Sequence, residues 1–228
     1  MEQLTNGFTL HIPQGCFPLS TDSMLLSDFV RPGKNSRILD LGAGCGTLGL
    51  LLCAKDPGCK VTGIELEETA HLAAVENIRR NALAHRMESI CGDLRDLPQE
   101  LAGKYSICVS NPPYFTGGPA SVATPTARRT DTCNTDQLFH AAAAGLKYGG
   151  DFYLVHRPES LAELCAAASR HGMEPKVLRI IRHTLGGPVT LILLKCRKGG
   201  KPGLTWEERA LHDGQGAPTD YFREIYHL

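Results

Sequence analysis

Arg37-Ile38-Leu39-Asp40-Leu41-Gly42-Ala43-Gly44-Cys45-Gly46 runs a short apolar stretch straight into three glycines spaced two apart. Thr47 to Ala54 continue as an apolar helix, so the passage reads as strand, turn, helix. Glycines at 42, 44 and 46 let the backbone bend sharply and lie against a ligand where a side chain would collide. The helix that follows presents free N–H groups and partial positive charge at its start. A dinucleotide-binding fingerprint reads Gly-x-Gly-x-x-Gly, whereas here the third glycine falls one residue early. That spacing favours a nucleotide-like cofactor without a pyrophosphate.

The same alternation continues outward. Lys60–Glu65 reads as a second strand and Glu67–Ala84 as a helix, followed by strands at Met87–Cys91 and Ser106–Ser110. An alanine-rich helix, Thr135–Lys147, stops at Gly149-Gly150, and Phe152–His156 forms a fifth strand ahead of a helix over Glu159–His171. Val177–Arg182 and Val189–Cys196 flank His183–Pro188 as an antiparallel hairpin at the sheet edge. The pattern predicts an α/β fold: a mostly parallel sheet, helices on both faces and right-handed crossovers. At 228 residues the chain is expected to be one domain, with residues 1–35 ahead of a 36–196 core and a polar 197–228 appendage.

Hydrophobic content of 42% and charged content of 21% are ordinary globular values, and no apolar run is long enough for a membrane span. The N-terminus lacks a basic start and an apolar stretch, so a cytoplasmic protein is expected. Nine cysteines lie scattered without a Cys-x-x-Cys pair, and the nine histidines are as dispersed. Buried free thiols and no metal centre are the expectation. Lys and Arg number 24, as do Asp and Glu, which excludes a protein that coats nucleic acid with a wholly basic surface and leaves room for a local basic face.

Three carboxylates fall at successive strand ends. Glu65 is placed to accept the two hydroxyls of a ribose, Asp93 to accept from an adenine amino group, and Asp40 to hold an ammonium group or a water that does so. Each alone also reads as a solvated carboxylate at a strand end; together they suit S-adenosylmethionine, with its ribose, adenine and zwitterionic tail.

Downstream stands Asn111-Pro112-Pro113-Tyr114. The prolines fix the backbone and bias Asn111 to an extended shape. The Asn111 side-chain oxygen and the Pro112 carbonyl can then converge on the two hydrogens of an exocyclic amino group. Drawing those hydrogens out of plane returns the delocalised lone pair to nitrogen for direct in-line methyl transfer. Tyr114 offers a flat face for a target base, with Phe115 beside it. A plain Pro-Pro turn is the alternative, and the glycine cradle upstream argues against it.

On these two motifs the sequence resembles S-adenosylmethionine-dependent methyltransferases of the Asn-Pro-Pro-Tyr type. More narrowly it is similar to the bacterial enzymes that methylate the exocyclic amine of an adenine in the anticodon loop of valine tRNA. The likeness takes in Thr21-Asp22-Ser23-Met24-Leu25-Leu26, Gly149 to Glu159 and Lys198-Gly199-Gly200-Lys201-Pro202-Gly203, and so nearly the whole chain. It implies a Rossmann-like class I fold with a seven-stranded sheet and a terminal β-hairpin. It also implies that Thr21 and Asp22, in the segment 1–35, cap the methionyl end of the cofactor. Asp40, Gly42, Ala43, Gly44, Gly46, Glu65, Leu66, Asp93, Leu94 and Asn111 would complete the cofactor set, with Asn111, Pro112 and Tyr114 as the catalytic one. After the box, Ala127-Arg128-Arg129-Thr130-Asp131 stands where the resemblance puts an Ala-Arg-His-Glu-like stretch.

Guanine exocyclic amines in rRNA and glutamine side-chain amides in release factors pose the same chemical problem, and a non-catalytic cofactor-binding module is a further alternative. The glutamine-modifying enzymes carry a sizeable helical domain ahead of the core, whereas here residues 1–35 precede it. The expected partner is tRNA or another structured RNA, with no membrane and no metal. Arg128-Arg129, Arg179, Arg182-His183, Lys195, Arg197, Lys198 and Lys201 are the candidate grips, among which Lys195, Arg197 and Lys198 are expected on phosphates.

Overall fold

In the computed structural model, which describes residues 2–4, 7–113 and 133–226, the glycine turn opens from the middle of an eight-stranded sheet. Strands β1 (Glu2–Gln3) and β2 (Thr9–Leu10) form a separate antiparallel pair, and helix α1 covers Thr21–Phe29. The alternating core follows: β3 (Arg37–Leu41), α2 (Thr47–Lys55), β4 (Lys60–Glu65), α3 (Glu68–Arg80), β5 (Met87–Cys91) and β6 (Tyr105–Ser110). Next come α4 (Thr135–Gly145), β7 (Leu146–His156), α5 (Leu161–Arg170), β8 (Met173–Thr184), β9 (Val189–Lys198), β10 (Thr205–His212) and α6 (Asp220–Tyr226).

The sheet runs in the order β10-β8-β9-β7-β6-β3-β4-β5. Strands β3 to β7 are mutually parallel, and β9 is antiparallel to both β7 and β8. Strands buried on both faces need apolar side chains in both directions, which is why Ile38-Leu39 and Leu41 read as a continuous run. Ile38 packs with Leu25, Leu50, Val109 and Tyr153 on the face that α1 and α2 cover. Leu39 and Leu41 pack with Phe139, Phe152 and Leu164 on the opposite face, beneath α4 and α5.

The α/β expectation holds, with one strand more than the seven implied by resemblance. The added strand is β10, from the stretch read as an appendage, and it pairs parallel to β8. The β8–β9 hairpin therefore lies inside the sheet with β10 outside it. Arg179 on β8 fastens this corner. Only 4% exposed, its guanidinium donates to Asp28 of α1 at 2.6 Å, to Glu207 of β10 at 3.0 Å and to the Tyr221 hydroxyl of α6 at 3.0 Å. Strand β7 also starts earlier than expected, at Leu146, because the chain passes through Gly149-Gly150 within the strand, with a register shift against β6.

Strand β3 has β4 on one side and β6 on the other, so successive crossovers leave it in opposite directions. At such a switch point the connections part beyond the carboxyl ends of the strands and leave a crevice. Gly63 keeps that crevice open from below, since a Cβ there would stand 2.8 Å from the Ala43 Cβ in the glycine turn. Gly63→Ala is expected to lower unfolding free energy by about 1–3 kcal/mol through overpacking. Chemical denaturation of the two forms measures it, and an unchanged midpoint would mean the turn is free to move away.

Candidate active site at the carboxyl edge of the sheet

Gly42, Gly44 and Gly46 all adopt positive φ, at 77°, 55° and 78°, a region that side chains disfavour. Gly42 and Ala43 both donate their N–H to the Ile64 carbonyl at 3.0 Å, which folds the turn back over β4. Glu65 then closes it. Its Oε2 accepts from Gly44 N at 2.7 Å and its Oε1 from Glu67 N at 2.8 Å. A carboxylate has about four acceptor positions, so each oxygen keeps capacity for a hydroxyl. Among the described residues nothing lies within 4 Å of where a Cβ of Gly42 or Gly44 would sit, so the turn borders open space.

Asp40 is the unusual group. It is 2% exposed, and its Oδ2 has no hydrogen-bond partner among the described residues. Burial first, and the neighbouring Glu65 second, push its carboxyl up to about 7. A buried oxygen without a partner is costly, and a cationic ligand would satisfy it.

At the adjacent strand end, Ser110 Oγ donates to the Leu41 carbonyl at 2.7 Å, tying β6 to β3 beside the turn. The next residue, Asn111, donates from Nδ2 to Ser23 Oγ of α1 at 3.1 Å, leaving Oδ1 without a partner among the described residues. Thr21 starts α1 and shares a 2.7 Å hydrogen bond with the Tyr226 hydroxyl of α6; Asp22 occupies the same first turn. Asp93 follows β5, but both its oxygens accept from Arg95, whose guanidinium holds the carboxyl below its usual range. A ligand amine there would share Asp93 with Arg95. Leu66, 53% exposed, and the half-buried Leu94 follow Glu65 and Asp93.

Thus Asp40, the glycine turn, Glu65, Leu66, Asp93, Leu94, Asn111, Pro112 and the first turn of α1 share the carboxyl side of the sheet. Tyr114, Phe115 and Arg128-Arg129 lie outside the described residues. Sequence reasoning missed Ser23, Ser110 and Tyr226. Ser23 stood inside the quoted Thr21–Leu26 stretch, whereas Tyr226 in the tail carried no signal.

The expected basic grips fare differently. Arg179 spends Nε on Glu207 and Nη1 on Asp28 and Tyr221, so it fastens α1 and α6 to β8 and β10 and keeps only Nη2 for anything else. Arg197 makes a two-pronged pair with Asp151, and Lys198 Nζ donates to the Ala143 and Leu146 carbonyls at the end of α4. Both sit opposite the start of the Asp151–His156 stretch, away from the edge that carries Asn111. Arg182 pairs with Glu208 at 2.5 Å and donates to the Gly187 carbonyl. Lys195 alone of the three expected on phosphates keeps a loose partner, 3.9 Å from Asp151.

A parallel sheet with a glycine cradle at its switch point and an Asn-Pro-Pro corner one strand away is the arrangement of Rossmann-like methyltransferases. Residues 20–164 match the methyltransferase small domain family, so the chain belongs to that family and is a methyltransferase. It is 32% identical over 186 residues to the tRNA1(Val) (adenine(37)-N6)-methyltransferase of Dickeya chrysanthemi, covering 80% of this chain and 74% of that one. The Bacteroides fragilis protein of the same name is 31% identical, covering 79% and 77%. Among solved structures, a predicted O-methyltransferase from Agrobacterium tumefaciens superposes with a TM-score of 0.74 at 24% identity, over 91% of this chain and 96% of that one. No helix among the described residues is long and apolar enough to cross a membrane.

The buried Asp40 gives a test that needs no ligand. Between about pH 4 and pH 7 the folded chain keeps a proton that the unfolded chain has released, so this group's contribution to stability falls as pH rises through that window. Asp40→Asn is therefore expected to raise the unfolding temperature of the cofactor-free protein by about 5–10 °C at pH 8 and hardly at all at pH 4. Equal shifts at both pH values in a calorimetric scan would reduce Asp40 to an ordinary carboxylate.

Proposed function

We propose that the protein transfers a methyl group from S-adenosylmethionine to the exocyclic N6 of an adenine in tRNA, in the anticodon loop of a valine tRNA. The observation that carries this reading is the pairing at one sheet edge of an Asp40 oxygen without a partner among the described residues with an Asn111 amide anchored through Nδ2 on Ser23. The Dickeya and Bacteroides relatives supply the adenine and the tRNA.

The residues fit the donor. Asp40 receives the ammonium, either directly or through a water, the glycine turn and the first turn of α1 flank the methionyl chain, and Glu65 accepts from the ribose. Asp93 and the apolar Leu66 and Leu94 border the adenine. S-adenosylmethionine supplies an electrophilic sulfonium methyl when bound. Asn111 Oδ1 and the Pro112 carbonyl accept the two N6 hydrogens of the target base, which restores the nitrogen lone pair. Transfer would form the N–C bond as the S–C bond of the donor breaks, and the methylated nitrogen would give up one proton to water. Ser23 matters because its hydroxyl, by accepting from Nδ2, leaves Oδ1 to accept from the amine, where the flipped amide would present a donor to another donor.

Asn111→Ala is expected to cut turnover by about 10²–10³-fold while cofactor affinity stays within twofold, because the lost acceptor acts on the reacting amine. Turnover near that of the parent would remove Asn111 from the chemistry. Cofactor affinity should weaken by up to about tenfold per pH unit below pH 7, since binding must displace the Asp40 proton. Calorimetry in buffers of different ionisation heat counts that proton. Incubation with labelled donor and total tRNA, rRNA or release factor, followed by nucleoside mass spectrometry, identifies the acceptor; labelled N6-methyladenosine absent from tRNA would overturn the substrate.

A further inference from the structure

Beneath the carboxyl end of α1 the sheet carries a second concavity, apart from the reacting edge. It is a cleft of about 290 Å³ lined by Phe29, Arg31, Tyr153, Arg179, Lys195 and Arg209, with Val177 and a single carboxylate, Glu207. Four of these side chains are cationic. Aromatic rings hold three of them. The Arg179 guanidinium stands 4.8 Å from the Phe29 ring centroid, Lys195 Nζ 5.9 Å from that of Tyr153, and the Arg209 guanidinium 5.9 Å from that of Tyr221.

Hydrogen bonds within the protein leave donors over. Arg179 uses Nε and Nη1 on Glu207, Asp28 and Tyr221, and its Nη2 has no hydrogen-bond partner among the described residues although the side chain is 5% exposed. Among the described residues Lys195 Nζ has no acceptor within hydrogen-bond range, only Asp151 at 3.9 Å. Arg31 donates to backbone carbonyls of Asp28 and Val30, and Arg209 shares Glu207 with Arg179. The excess of positive charge is felt next door. Lys55, which caps the Ser27, Asp28 and Val30 carbonyls, is pushed down to about 8 by burial and then by Arg31 and Arg179, with Asp28 and Glu224 offsetting part.

The geometry points to this cleft as a phosphate-binding site that takes a backbone phosphodiester of the RNA substrate. The assignment rests on the RNA reading above. Unused N–H donors on pre-positioned cations, with one carboxylate in the lining, match a tetrahedral oxyanion, and an open cleft leaves room for the two sugars it joins. Lys195 pairs with Tyr153, which pairs with Val109, two residues before Asn111. With strands about 4.8 Å apart and residues about 3.3 Å apart, the Lys195 backbone lies about 12 Å from that of Asn111. A phosphate held there is too far to touch the reacting atoms and close enough to fix the register of the loop that carries the target base.

Lys195→Gln and Arg209→Gln, singly and together, test it in the full chain. Titration with inorganic phosphate, followed by the side-chain resonances of Arg31 and Arg179, which every form retains, should shift both in the parent at millimolar phosphate and neither in the double variant. With tRNA, each variant should raise KM about 5- to 10-fold with kcat and cofactor affinity unchanged, and the salt dependence of binding should become shallower by somewhat under one unit. No phosphate-dependent shift in the parent would overturn the site. Phosphate binding with parental KM and salt slope in the variants would overturn the assignment to RNA and leave a free phosphate-bearing ligand. A parent that binds phosphate yet methylates no RNA would instead fail the functional reading, an outcome separable from both.

Discussion

Glu65 holds the two halves of the crevice together. Its carboxylate receives one N–H from the glycine turn after β3 and another from the residue that opens α3, so the end of one strand fixes the exit of its neighbour. Because the bonds are to backbone N–H groups, they constrain main-chain position directly, and charge-assisted bonds of this kind are roughly twice as strong as neutral ones. The closed turn in turn shuts Asp40 away from water. The price is a carboxylate with one oxygen unpaired among the described residues and a raised affinity for protons. On the proposed reading, a cofactor that brings a cation would offset that cost, and the groups that shape the cradle would also select a charged tail over a neutral one.

Charge elsewhere in the molecule divides into two kinds. Arg179, Arg197 and Lys198 have their donors on Asp28, Glu207, Asp151 and helix-end carbonyls, where they join α1 to β8 and β10, β9 to β7, and the end of α4 to the sheet. A buried arginine of this sort is retained through its partners: removing one side strands the other, at a cost of about 3–5 kcal/mol. Lys195 and Arg31 lie within the same region with weaker commitments. Neighbours in sequence, Lys195 and Arg197 both look toward Asp151, yet only Arg197 reaches it with two prongs. The basic run Lys195 to Lys198 thus contains both structural and available cations, a distinction made by strand register alone.

That distinction explains where the sequence was legible. The boundaries of β3, β4 and β5 match the reading from residues alone, since each is a short apolar run bounded by turn residues. The cradle was legible for a related reason: glycine at 42, 44 and 46 has a local meaning that no distant contact can change. β10 was not, because Thr205-Trp206-Glu207-Glu208-Arg209 lies at an edge, is largely polar, and earns its place through Glu207 meeting Arg179 from β8. Gly149-Gly150 misled in the opposite direction. Two glycines ordinarily end a helix, and here the helix had ended at Gly145 and the pair lies within β7. Ser23 and Tyr226 reach the site through hydrogen bonds to partners 88 and 205 residues away, which no local pattern encodes.

These two long-range bonds bear on how the reacting corner is held. Asn111 follows a strand that is fixed by Ser110 on β3, yet its amide can still rotate about the side-chain bonds. Ser23 anchors it through Nδ2, and Ser23 is only as fixed as the first turn of α1. That turn is held at its start by the Ser20 cap and by Tyr226, whose helix also packs Ile225 into the core and rests against β10. The orientation of one amide therefore depends on a chain of contacts running from β6 through α1 to the last helix. A tail whose sequence reads as an appendage is, by this route, part of the support of the candidate catalytic residue. Loosening it would act on the angle at which an acceptor meets its amine and, through Thr21, on the first turn of α1, while the glycine turn stays closed by its bonds to Glu65 and Ile64.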